Sequence, residues 1–235
     1  MRIAQHAERL AFKRYWLVEH HNMAGIAGSA TAVLVGDITE DTHTMRVGFG
    51  GAMLPNHAPL VVADAFGTLA ARYPYGIDLG LGRAHGTYPA TMRALRRERT
   101  NTADDFPQDA AELQRLMGSA ARPTAIAMPD AGTNVPIWQL GSSLFSAKLA
   151  AENGLHYAFA SHFPPRLLLQ AITLYRQNFR PSATLARPYV TIDVPLIAAP
   201  TIEEADYPVS STYQRVLGIL TGDQRGLQPP AMSLS

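Results

Sequence analysis

The sequence predicts an α/β fold built on parallel strands, as a (β/α) barrel or as an open parallel sheet. Short apolar, β-branched runs alternate with longer helical patterns along the whole chain. Several of those runs end in polar or glycine residues, where parallel α/β proteins keep their chemistry. A length of 235 residues with 47% hydrophobic side chains suffices for one such domain spanning 1–235, and neither an internal repeat nor a linker divides it. Periodicity alone leaves a doubly wound sheet open as the alternative.

Met1 to Tyr15 spaces Ile3, Ala7, Leu10 and Ala11 at helical intervals among charged residues, which predicts an amphipathic helix and not a secretory signal. Tyr15 to Glu19 has the aromatic and branched composition of a buried strand and runs into His20, His21 and Asn22. Ser29 to Ile38 reads as a helix, and Met45 to Met53, carrying Gly48, Gly50 and Gly51, as the second strand. A helix from Pro59 to Tyr73 begins with proline in its first turn, where no backbone N–H is needed.

Gly76 to Arg83 is the third strand. Helices are expected over Thr87–Arg99 and Asp105–Met117, the second with acids toward its start and Arg115 in its last turn, matching the helix dipole. Ser119 to Val135 is rich in proline and glycine and reads as the longest loop. Pro136–Gly141, Leu155–Ser161 and Tyr189–Ala199 complete six strands, with helices over Ser142–Asn153 and Pro165–Phe179 between them. The helix starting at Thr201 is expected to break at Pro208, and the tail 222–235 has no pattern.

Composition excludes several function classes. Twenty Lys and Arg against 19 Asp and Glu give a net charge of +1, without the basic footprint of a nucleic-acid or anionic-membrane binder. Cysteine is absent, so no disulfide, thiolate nucleophile or Cys-ligated metal forms. Every apolar stretch is interrupted well short of the roughly 18–20 residues of a membrane span, which makes the cytoplasm the expected location. There is no Gly-x-Ser-x-Gly elbow and no Walker sequence.

Glu19, His20 and His21 put an acid and two imidazoles at the end of the first strand, and either histidine can exchange a proton near neutral pH. The equally simple alternative is a pair of polar residues opening a loop. The other histidines, His57 among them, lack metal-ligand spacing, so no metal is expected. Gly50-Gly51 lets a flat ligand come close, or forms a bulge. The Gly80 to Gly86 segment has glycine spacing one residue too long for a dinucleotide fingerprint. Arg83 at a strand end suits a bidentate phosphate contact. Gly141, Ser142, Ser143 and Ser146 open a helix, whose free amides favour an anion; ordinary N-capping explains the serines equally well.

Five runs together resemble the bacterial-luciferase-like flavin monooxygenases, most closely the alkanal monooxygenase-like subgroup. They are Glu19–Met23, Val47–Leu60, Ile77–Ala84, Val135–Ser143 and Phe159–Phe163, in family order, and the likeness extends to about residue 205. The resemblance implies an eight-stranded (β/α) TIM-type barrel using reduced flavin mononucleotide (FMN), supplied by a flavin reductase, and O2 to oxidise a small organic substrate such as an aldehyde. It implies His20 as the catalytic histidine with His21 beside it. Glu19 and a non-prolyl cis Gly50–Gly51 link would lie at the flavin ring, and Arg83, Ser143 and Ser146, with Gly141 and Ser142, at its phosphate.

The six strands would be the family's second to seventh, so the barrel is expected to be incomplete, with two unpaired edges open to a partner chain, a swapped segment or the tail. A homodimer is the expected assembly. Two other readings stay open: a non-catalytic flavin-binding barrel remnant, and a deazaflavin-dependent oxidoreductase of the same superfamily.

Overall fold

A computed structural model describes residues 2–85, 89–95, 105–118, 132–162, 165–221 and 226–231. Its strands are β1 (Arg14–Leu17), β2 (Arg46–Met53), β3 (Ile77–Gly82), β4 (Ile137–Gly141), β5 (His156–Ala160) and β6 (Val190–Asp193). They pair in chain order, all in parallel, as one six-stranded sheet. The sheet curls into a half-barrel of the TIM type, with β1 and β6 as its edges. Its strand number, and the two edges that no strand among the described residues pairs with, agree with the sequence expectation.

The helices are α1 (Arg2–Arg9), α2 (Thr31–Glu40), α3 (Pro59–Arg72), α4 (Pro89–Leu95), α5 (Phe106–Met117), α6 (Leu144–Glu152), α7 (Leu168–Asn178) and α8 (Ile202–Thr221). Strand alternation sends Val47, Phe49, Ile77, Leu79, Leu81, Ile137, Tyr157 and Phe159 into one hydrophobic core with Phe66, Leu113, Ala147 and Tyr175 from the helices. No described helix is long and apolar enough to cross a membrane.

The inner face carries a different layer. Trp16, Gly48 and Asp78 lie in register across β1, β2 and β3, as do Arg14 and Arg46 on the first two. Asp78, fully buried, accepts from Arg14 Nε at 2.9 Å, Arg46 Nε at 2.7 Å and Trp16 Nε1 at 3.2 Å. Arg46 also donates to the carbonyls of Tyr75 and Ile77. The Arg14 guanidinium lies 5.0 Å from the Trp138 ring centre. This charged layer ties together β1, β2 and β3, three of the four strands that position the candidate site.

Element ends shift by a few residues along the chain, β1 closing at Leu17 where the expected strand ran to Glu19, and three differences have a clear physical reason. The first helix stops at Arg9 because Ala11 takes a left-handed backbone (φ 62°), which an α-helix cannot continue. β6 ends at Asp193, not Ala199: β5 pairs only as far as Ala160 with Asp193, and beyond that pair no strand among the described residues lies beside it. Pro208 lies inside α8 without ending it. The bond it removes belongs to the carbonyl of Glu204, an exposed residue, so water can satisfy that carbonyl. Residues 226–231 of the tail fold back on this helix, with Ala231 N–H donating to Ser210 Oγ at 2.9 Å. Most of the loop expected at 119–135, parts of the helix expected at 87–99, and 222–225 with 232–235 of the tail fall outside the described residues.

Candidate active site

Parallel strands place the residues that follow them on one rim. Glu19 and His21 follow β1, Met53 closes β2 with His57 four residues on, Arg83 follows β3, and Ser143 follows β4. Since β1 and β2 are neighbours, their rim residues meet, and Glu19 is the hub. Its side chain is 1% exposed, and Oε1 accepts from His21 Nε2 and from His57 Nε2, each at 2.5 Å. Oε2 accepts from the Met53 backbone N–H at 2.7 Å.

Burial pushes the Glu19 carboxyl up, but the His57 hydrogen bond and charge, the Met53 amide and His21 outweigh it and hold the group below its ordinary value. A depressed folded-state pKa makes ionised Glu19 stabilising above its unfolded value, near 4.3, and that contribution fades as pH falls through the folded pKa. The part of the stability difference between the native chain and Glu19→Gln that comes from the carboxylate should therefore be fully present at about pH 5 and shrink below about pH 4. Urea unfolding at several pH values between about 5 and 3 measures it; a difference that does not shrink below about pH 4 would contradict the assignment.

His57 was not singled out by its spacing in the sequence. The ligand-capable atoms of Glu19, His21 and His57 lie within 4.8 Å of one another, close enough for a metal ion, and the contacts they make here are hydrogen bonds within the chain. His20 is partly buried, and its carbonyl accepts from Ser29 Oγ at 2.9 Å. Asn56 beside His57 is buried; its Nδ2 donates to the His85 carbonyl at 2.9 Å, while Oδ1 has no partner among the described residues. That orphaned acceptor at the rim suits a donor from a ligand.

The Gly50–Gly51 bond is cis. It coincides with the register shift between Phe49 and Ala52 in the pairing of β2 with β3. A Cβ on Gly51 would come within 2.9 Å of the Gly80 carbonyl oxygen, so neither strand has room for a side chain there.

Further along the rim the chemistry changes to cationic. Arg83 is exposed, lies 4.4 Å over the Phe145 ring and has no carboxylate partner among the described residues. Ser143 caps α6, its Oγ accepting from the Ser146 N–H at 3.3 Å. Ser146 turns inward: it is buried, donates to the Ser143 carbonyl at 2.7 Å and lies 3.4 Å from the Tyr157 hydroxyl. A Cβ on Gly141 would sit 2.5 Å from that Ser146 hydroxyl, so glycine makes room for the cap. Burial pushes the Tyr157 phenol up to about 12, and it stays neutral. The first amides of α6 and the Arg83 guanidinium thus stand at the same end of the rim, a donor set that suits an anion, with Ser142 between Gly141 and the cap.

The luciferase-like monooxygenase family model matches residues 1–225. The chain belongs to that family. Among its relatives, protein YvbT of Bacillus subtilis is 50% identical over 232 residues, covering 98% of this chain and 69% of the relative. A luciferase-like monooxygenase of Escherichia coli K12 is 47% identical, covering 99% and 70% respectively. The crystal structure of apo-MsnO8 superposes with a TM-score of 0.88 at 33% identity, covering 98% of this chain and 69% of that one. Family membership supports an oxidoreductase of the monooxygenase type. Within this luciferase-like chain, the matched span includes the whole Glu19 hub and the Arg83–α6 end.

Proposed function

We propose that the chain uses reduced FMN and O2 to oxidise a small organic substrate such as an aldehyde. The observation that carries this reading is the order of chemistry along the rim. An acid with two imidazoles stands at β1 and β2. A guanidinium without a carboxylate partner among the described residues stands with a helix N-terminus at β3 and β4. From β1 to β4 the rim runs three strand spacings, about 14 Å along the curled sheet. A flat three-ring heterocycle with a ribityl phosphate arm spans that length, and the donor set fits both of its ends.

Reduced flavin supplies the electrons that activate oxygen. The protein's residues bind, orient and move protons. Arg83 and the α6 amides, organised by Gly141, Ser142, Ser143 and Ser146, hold the phosphate. Gly50, with the Trp16 ring packed against it, and Gly51 form the segment that the flavin ring approaches, and Glu19 orients His21 at its edge. His20 is the proton donor or acceptor of the oxygenation. A cytosolic location, a flavin reductase as supplier and a homodimer belong to the same reading.

The test is anaerobic titration with reduced FMN, followed by oxygen and substrate, scoring oxygen incorporation against released peroxide. Peroxide alone would favour the non-catalytic remnant, and selective binding of a deazaflavin over FMN would favour the deazaflavin oxidoreductase. In the same assay His20→Ala should lower substrate oxygenation about 100-fold or more, as for loss of a general acid or base, with flavin binding within about twofold of native. A proportionate loss of binding would remove His20 from the chemical role.

A further inference from the structure

We propose that His57 is a positioning residue: through the shared Glu19 carboxylate it fixes His21 as the Nε2–H tautomer, leaving Nδ1 as the nitrogen with which neutral His21 accepts. Both imidazoles reach the same Oε1 through Nε2, at 2.5 Å. A carboxylate can only accept, so each Nε2 must carry the hydrogen, and a neutral imidazole has one N–H only. The proton positions of both rings therefore follow from one carboxylate remaining ionised.

His57 keeps it so. Glu19 is shielded from water, and its three partners are two imidazoles and one backbone amide. Without His57, Oε1 keeps a single donor while the burial penalty stays. A buried carboxyl short of donors protonates. A protonated Glu19 becomes a donor, His21 Nε2 must then accept, and the His21 hydrogen moves to Nδ1. His57 thus sets which nitrogen of a different residue is basic. Two histidines 36 residues apart in sequence share one buried oxygen, and the adjacency of β1 and β2 is what joins them.

The use of this tautomer in oxygenation rests on the function proposed above; the tautomer itself does not, and flavin-free protein tests it alone. The full chain with 15N-labelled histidine is observed by long-range proton–nitrogen correlation near pH 8, with signals assigned through His21→Gln and His57→Gln. His21 and His57 are expected to show the Nε2–H pattern in the native chain. His57→Ala should abolish it at His21. His57→Gln, whose amide reaches about as far as Nε2, should restore it.

An Nδ1–H pattern for His21 in the native chain, or an unchanged Nε2–H pattern in His57→Ala, would overturn the proposal. So would failure of His57→Gln to restore what His57→Ala removes, because the effect would then be general disruption. If His57→Ala does not fold, the spectra of the native chain and of His57→Gln still decide the tautomer. Persistence of the tautomer shift in a chain that nonetheless does not oxygenate would refute the functional reading alone.

Discussion

Replacing Asp78 with alanine should destabilise the fold by about 3–5 kcal/mol, the usual effect of breaking a buried ion pair by removing one partner. Asp78 is fully buried and accepts from three side chains on two neighbouring strands. Its removal leaves two guanidiniums facing each other and the Trp16 indole N–H without an acceptor. Arg46 retains the carbonyls of Tyr75 and Ile77, whereas Arg14, partly exposed, keeps among the described residues its aromatic neighbours Trp138 and Tyr189. The cost is large against a total stability of about 5–15 kcal/mol.

Asp78→Asn, which keeps one acceptor oxygen and the shape, should lose about half as much. Urea unfolding with the slope held in view measures both. A midpoint for Asp78→Ala within error of the native value would mean that the layer is a passenger of the fold. Adding Arg14→Met to Asp78→Ala should recover part of the loss, since an unpaired cation is removed from beside Trp138.

The same layer shows which structural information is local in the sequence and which is not. The strands from 76 to 83, 136 to 141 and 155 to 161 were legible because each is a short, largely apolar run ended by glycine or a polar residue, and burial on both faces demands such a run. The end of β6 was not legible, because pairing beyond Asp193 depends on how far β5 extends. Pro208 misled for a related reason: a proline breaks a helix only if the freed carbonyl cannot find water, and exposure is tertiary information.

At the site, Glu19 and His21 were readable as a strand-end pair. His57 was not, since only the adjacency of β1 and β2 brings its ring to Glu19. One general signal could have found it, namely that residues just after neighbouring parallel strands share a rim. Asp78 and Arg14 lie 64 residues apart, and their pairing follows from register alone. Ser146 shows the limit of residue type: a hydroxyl near a helix start can face a ligand or, as here, lock the cap from inside through Ser143 and Tyr157.

Arg83→Ala should weaken FMN binding about 10- to 100-fold and leave riboflavin binding within about twofold. A charge-assisted hydrogen bond contributes about 1.5–3 kcal/mol, and each 1.4 kcal/mol is tenfold in affinity. Both flavins share the ring, so a residue that reads only the phosphate must separate them. Arg83 is placed to do so because Phe145 supports its guanidinium face while no carboxylate of the described residues competes for its donors.

The α6 amides remain in the variant, which is why the loss should stop short of abolishing the phosphate preference. Arg83→Lys keeps the charge without the planar fork and should fall between the two. Because the side chain is exposed, the FMN advantage should also shrink with salt in the native chain and shrink less in Arg83→Ala. Fluorescence titration of both flavins at two ionic strengths tests all three expectations. Equal losses for FMN and riboflavin would take the phosphate away from Arg83 and leave the α6 terminus to hold it alone. In that case the exposed guanidinium would belong to the substrate side of the rim, and the FMN-to-riboflavin ratio should respond to changes at Ser143.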